Sequence, residues 1–103
     1  MPEVVIRVVR TDVNGHIRVR PARPSKWSDY AFIYRDGSCV RWDDATSELF
    51  IDPLQTFSSV DEFLRIRNAV KSEYGDTLVF DSSTSFEDVP VAVISQIKNA
   101  PAT

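Results

Sequence analysis

Hydrophobic and polar positions follow two periods along this chain, and the change from one to the other divides it. Up to residue 51 the apolar residues recur at a spacing of two or stand in short β-branched runs, as strands require. Residues 3–10 are β-branched on both parities (Val4, Val5, Ile6, Val8, Val9), the pattern of a strand covered on both faces or central in a sheet. Asn14-Gly15 is a strong turn signal. Beyond it residues 16–20 alternate, with Ile17 and Val19 facing one way and His16, Arg18 and Arg20 the other. Pro21 and Pro24 then stop the strand. Residues 30–35 and 38–43 flank Asp36-Gly37 and predict a two-residue hairpin. In that hairpin Ile33, Val40 and Trp42 form a core face, and Tyr30, Phe32, Tyr34 and Arg41 a half-exposed one. A short strand over residues 48–51 ends before Pro53.

From residue 60 the period becomes 3.6. Val60, Phe63, Leu64, Ile66, Val70 and Tyr74 make one apolar stripe on a helix over 60–74. Ser59 and Glu62 predict a capping box at its start, and Gly75 a stop at its end. Arg67 falls inside the stripe, so its stem must either carry the charge out to solvent or meet a carboxylate from the sheet. Residues 77–80 read as a short strand. Residues 86–98 read as a helix, because Val89, Val93 and Ile97 recur at i+4 and Pro90 suits a first turn opened by Ser85 or Asp88. Val91 and Val93 also suit a strand. The sum is an α+β fold: a mostly antiparallel sheet of about five to six strands with one or two helices packed on one face.

Size and composition narrow the class. The 103 residues form a single domain (1–103), large enough to hold one core without metal or disulfide. One cysteine, Cys39, cannot make a disulfide framework, and Met1-Pro2-Glu3 lacks the basic and apolar regions of a signal peptide. No stretch has the apolar length of a membrane span. The expected setting is cytoplasmic. Net charge is −3, but residues 1–41 carry eight Lys/Arg against four Asp/Glu, while residues 42–103 carry four against eleven. Such a split can mark a charged partner.

Catalytic chemistry finds little to work with. His16 is the single histidine, and its place beside a turn, flanked by outward arginines, reads as ordinary exposure. One His and one Cys cannot supply a zinc site of the usual composition. Cys39, opposite Tyr34 in the predicted hairpin, reads as a small hydrophobe, although Arg41 lies on the same face. The three glycines are all taken by turns or a helix stop, which excludes a phosphate-binding loop. No cofactor and no enzymatic activity are expected.

Two patches remain for recognition. The acidic one comprises Trp42, Asp43, Asp44, Glu48 and Asp52, and suits a basic protein partner that charge steers and an aromatic anchors. The basic one comprises Arg18, Arg20, Arg23 and Lys26 with Trp27, and is the alternative, an anion- or nucleic-acid-binding strand face. The acidic pI of about 5.0 weighs against nucleic acid. A sheet face left bare around Tyr30, Phe32 and Tyr34 would also allow a homodimer.

Stand-alone size, the run from Tyr30 to Trp42, the acidic stretch from Asp43 to Asp52 and the missing catalytic equipment together give a family likeness. The chain resembles the small immunity proteins with which bacteria neutralise toxins, such as those of contact-dependent growth inhibition systems. The resemblance implies tight binding to a cognate toxin, often a basic nuclease, and blockage of its active site. The basic residues 18–26 depart from that pattern.

Overall fold

The β-branched run at the start of the chain becomes the strand with partners on both sides. In the computed structural model, which describes residues 3–22, 30–37, 39–52 and 56–100, β1 (Glu3–Thr11) pairs antiparallel with β2 (Ile17–Pro21). It also pairs parallel with two short strands, β5 (Thr77–Val79) along its first part and β6 (Ser85–Glu87) along its last. The remaining strands, β3 (Val40–Asp43) and β4 (Glu48–Ile51), complete the order β3-β4-β2-β1-β5. The sheet is mostly antiparallel, as expected, and the two helices make the fold α+β. The register of β1 shifts between Ile6 and Val8. Such a bulge switches the facing of a strand, which is why both parities of residues 3–10 carry apolar side chains: Ile6 and Val9 are fully buried in the core, and Val8 is buried on the other face.

The helix α1 (Ser59–Tyr74) crosses from β4 to β5 and lays Phe63, Ile66, Ala69 and Val70 on the sheet. Its cap differs by one residue from the expectation. Ser58, in extended backbone, accepts the Asp61 N–H at 3.1 Å, and Gly75 closes the far end at φ 75°. Glu62 makes no capping box. Its side chain is 1% exposed and turns into the protein. The helix α2 (Val91–Asn99) packs on α1 and buries Ile97. It starts later than the periodicity suggested, with Pro90 at its N-cap, because Ser85–Glu87 is drawn into β6 beside β1. No helix among the described residues is long and apolar enough to cross a membrane.

The hairpin centred on Asp36-Gly37 does not form. Residues Tyr30–Asp36 are a 3₁₀ helix. Three residues per turn put Tyr30 and Ile33 on one side, and both are fully buried. Phe32 and Tyr34 fall on the other and stay about half exposed. Gly37, at φ 77°, ends the turn by donating to the Tyr34 carbonyl at 3.1 Å. The alternation in this stretch was thus two interleaved helical positions and not a strand. Tyr30, expected on a half-exposed face, is instead a core residue packed edge-on against Trp42 and Tyr74, with its hydroxyl donating to Asp76. The partner of β3 is β4, through a turn over residues 44–47 with Ser47 at φ 57°.

Candidate functional site

Register decides what the strands can do. The Asn14-Gly15 loop holds three residues: Gly15 N–H donates to the Asp12 carbonyl at 3.0 Å and Asp12 N–H to the His16 carbonyl at 2.9 Å, with Gly15 at φ 83°. This is the three-residue hairpin with glycine in the left-handed position. It sets Arg10 directly opposite Arg18. On the neighbouring hairpin, Asp43 stands directly opposite Glu48. Either pair of like charges alone would be destabilising.

Side by side they cancel. Arg10 donates both prongs of its guanidinium to Glu48, from Nε at 2.6 Å and Nη2 at 2.8 Å. Arg18 donates to Asp43 at 3.0 Å, to Glu48 at 3.3 Å and, from Nε, to Asp12 at 3.3 Å. Its guanidinium also lies 4.6 Å from the centre of the Phe50 ring, its cross-strand neighbour. Glu48 is only 1% exposed although it is on the sheet face away from α1, because the two arginines cover it. Burial pushes its carboxyl up, but the hydrogen bonds from Arg10, Thr46 and Arg18 outweigh this and hold it below the ordinary value. Asp43 is lowered by the hydrogen bond from Arg18. Asp12 is raised by burial and lowered by more through the His16 and Asn14 backbone N–H groups and Arg18, so it too ends low. Arg10 is raised through its bond to Glu48.

The two patches read from the sequence therefore meet. Arg18, from the basic set, is held by Asp43 and Glu48, from the acidic set. Arg20 is exposed on the same strand, and Arg23, Lys26 and Trp27 lie outside the described residues. Of the acidic set, Asp44 is exposed and accepts from Trp42 Nε1 at 3.4 Å. Trp42 packs half-buried against the core, and Asp52 approaches Arg41 at 4.0 Å. Arg10 and Asp12 were missing from both sets. The clue was present in Asp12-Val-Asn-Gly15, since a three-residue loop there places residue 10 against residue 18.

His16 is not the exposed residue its parity implied. Its Nδ1 lies 2.7 Å from Glu62 Oε2, and Glu62 Oε1 accepts the Ile17 N–H at 2.9 Å. The first turn of α1 is thereby pinned to the start of β2. Cys39 is half-buried against the core. Among the described residues no group of three His, Cys, Asp or Glu side chains is placed to hold a metal ion.

Because β2 and β4 run antiparallel, the β1–β2 turn, with Asp12 and the nearby Glu87, and the β3–β4 turn, with Asp43, Asp44 and Glu48, lie toward opposite ends of those strands. The long side chains of Arg10 and Arg18 bring Asp12, Asp43 and Glu48 together across the open face of the sheet. The β1–β2 and β3–β4 turns flank an open depression of about 370 Å³ lined by Asp12, Val13, Asn14, Asp43 and Thr46 together with Arg10 and Arg18. Val13, at its rim, is fully exposed.

No family model matches the chain, and neither does any curated protein. A solved structure with some similarity is an integron cassette protein from the mobile metagenome of the North West Arm sewage outfall. It is 26% identical, with 95% of this chain and 94% of that one covered, at a TM-score of 0.46. Its name states no activity.

Proposed function

We propose that this chain is a non-enzymatic protein-binding module that presents the acid-lined depression on the open face of its sheet to a basic partner, as an immunity-type inhibitor does to a toxin. The observation that supports this reading most is the open depression that Asp12 and Asp43 line, with Val13 wholly exposed at its rim and Asp44 exposed in the β3–β4 turn that borders it. An apolar tip and an uncompensated acid bordering one depression make a surface that gains from burial against a cationic protein, with charge speeding the encounter. Asp43 and Glu48 act behind it. They are tied to Arg10 and Arg18 and fix the two turns relative to each other, so that little ordering remains to be done on binding.

The test uses the tagged chain as bait in lysate of its source cells. The expected result is a stoichiometric basic protein whose toxicity, when it is expressed alone, is relieved by co-expression of this chain. Val13→Asp combined with Asp44→Lys should then weaken that complex about tenfold or more. A partner bound equally well by the double variant would remove this surface from the account.

A further inference from the structure

The sheet ends on one side in β5, whose inner side is taken by β1 through the parallel register of Thr77–Val79 with Glu3–Val5. Among the described residues no strand pairs its outer side. Successive residues of a strand turn their backbone N–H and C=O groups to alternate sides, so part of the β5 backbone faces outward. Such an edge is a template for another strand. A cleft of about 580 Å³ follows it, lined in succession by Leu78, Val79, Phe80, Asp81 and Ser82, with Arg67 of α1 and Lys98 of α2 as further walls. Leu78 and Val79 send their side chains to opposite faces of the sheet. A cleft that touches both therefore runs along the edge of the strand, and its volume is that of a ligand site.

The chain itself leaves room there. After Val79 it departs from β1 into a turn, closed by the Thr84 N–H on the Asp81 carbonyl at 3.1 Å, and rejoins β1 as β6. The Thr84 hydroxyl anchors that turn by donating to the Ile6 carbonyl at 2.6 Å. The acid of the lining, Asp81, is folded into the same turn: its Oδ1 accepts from the Ser83 N–H at 2.8 Å and from the Ser83 hydroxyl at 2.6 Å. Lys98 is exposed, with its ammonium 5.2 Å from the centre of the Phe86 ring. The cleft thus combines strand backbone, the half-buried apolar side chains of Val79 and Phe80, and an exposed positive charge.

We propose that the β5 edge takes up an extended peptide segment of a partner protein and adds it to the sheet as a further strand. Main-chain hydrogen bonds to β5 supply the attraction, and alternate side chains of the segment supply the selectivity. Apolar side chains lie against Leu78 and Phe80, and an acidic one is directed to Lys98. The cleft shares no lining residue with the depression of Asp12 and Asp43, and neither proposal depends on the other.

The experiment is a titration of the intact chain followed by amide NMR shifts and hydrogen exchange. The probe is a short synthetic peptide, capped at both termini, with alternating valine and threonine between glutamate ends. Two further versions carry N-methyl groups on every second amide, in one parity or the other. The parent peptide should give saturable shifts centred on residues 77–82 and slow exchange at amides of β5. The two N-methylated versions should differ in affinity by at least about tenfold, because an added strand turns one set of its amides to the edge and the other away. Lys98→Glu, an exposed substitution that leaves the core alone, should weaken the parent peptide about threefold, the worth of one exposed ion pair, and leave a glutamine-ended version unchanged. No saturable shift at residues 77–82 would overturn the proposal. So would equal affinity of the two N-methylated versions, which leaves the backbone no part. Shifts at residues 77–82 on concentrating the chain alone would assign the edge to a second copy and overturn it as well, and an unchanged affinity in Lys98→Glu would overturn the acidic choice of partner.

Discussion

Glu48 and Glu62 are equally hidden from water, each 1% exposed, and they are compensated in opposite ways. Glu48 lies on the open face of the sheet and is held by charge, in a fork from Arg10 and a further bond from Arg18. Glu62 lies under the first turn of α1 and is held by direction, from one backbone N–H and one imidazole nitrogen. Burying a carboxylate is costly in both places. At Glu48 the cost is offset by the full opposite charges of Arg10 and Arg18. At Glu62 it is offset by bonds to fixed atoms of β2. The first arrangement locks the register of four strands, and the second fastens a helix to a strand. Hidden acids in a small protein need not share a role.

The sharpest way to break this comparison is to remove Arg18. Arg18→Leu leaves Asp43 facing Glu48 without the cation that bonds both, and takes one bond from Asp12, which keeps those from the Asn14 and His16 N–H groups. Removing one partner of a buried pair is strongly destabilising, and the expected loss is about 3 kcal/mol, at the low end because Arg10 still holds Glu48. Urea denaturation at neutral pH measures it. A loss below about 1 kcal/mol would mean that Arg10 alone sustains the network.

Acid should act on the same network. The carboxyls of Glu48, Asp12 and Asp43 are all depressed in the folded chain, so each binds protons more readily when unfolded. Their contribution is complete above the unfolded values, near 4.5 for Glu and 3.8 for Asp, and is lost as pH falls through the lower folded ones. Stability should therefore decline as the solution is taken below pH 4.5. In Glu48→Gln the decline should be shallower, because one depressed group no longer titrates. Parallel curves for the two proteins would show that Glu48 is not a source of the acid sensitivity.

How far these features could be read in the chain depends on how local they are. The α1 stripe, its glycine stop, the β-branched central strand and the alternation of Ile17 and Val19 were legible, since each is set by neighbours within a few residues. The 3₁₀ helix was not. Residues 30–35 alternate like a strand, and only the burial of Tyr30 and Ile33 together shows a period of three. The charge network was half legible. Arg18, Asp43 and Glu48 stood out as candidates, but for two separate surfaces, and only the register of two hairpins brings them together. Glu62 looked like a capping residue because Ser59 precedes it by three. The cap is Ser58, and that one-residue difference leaves the Glu62 carboxylate to point inward.

Glu62 sharpens the comparison by a milder change. In Glu62→Gln the amide oxygen can still accept from the Ile17 N–H, and the amide nitrogen can donate to the His16 ring, so only the charge is lost. The expected cost is about 1 kcal/mol, the worth of one altered hydrogen bond. The same change at Glu48 should cost more, because an amide has one acceptor atom to offer the Arg10 fork where a carboxylate has two. Equal losses at the two positions, by urea denaturation, would erase the distinction between charge-held and direction-held acids.

The smallest effect belongs to Asp44. It neighbours the network in sequence, but the bond it accepts is from the Trp42 indole at 3.4 Å, on an exposed turn. Reversing its charge with Asp44→Lys should change stability by less than about 0.5 kcal/mol, as surface substitutions away from caps and buried pairs do. That indifference is what makes it useful. A variant whose urea midpoint matches the parent chain, but whose partner binding is weakened, places the effect at the surface beside the acid-lined depression. If the midpoint falls as far as in Arg18→Leu, then Asp44 belongs to the network after all, and the line between the acids that hold the fold and those that face outward must be redrawn to include it.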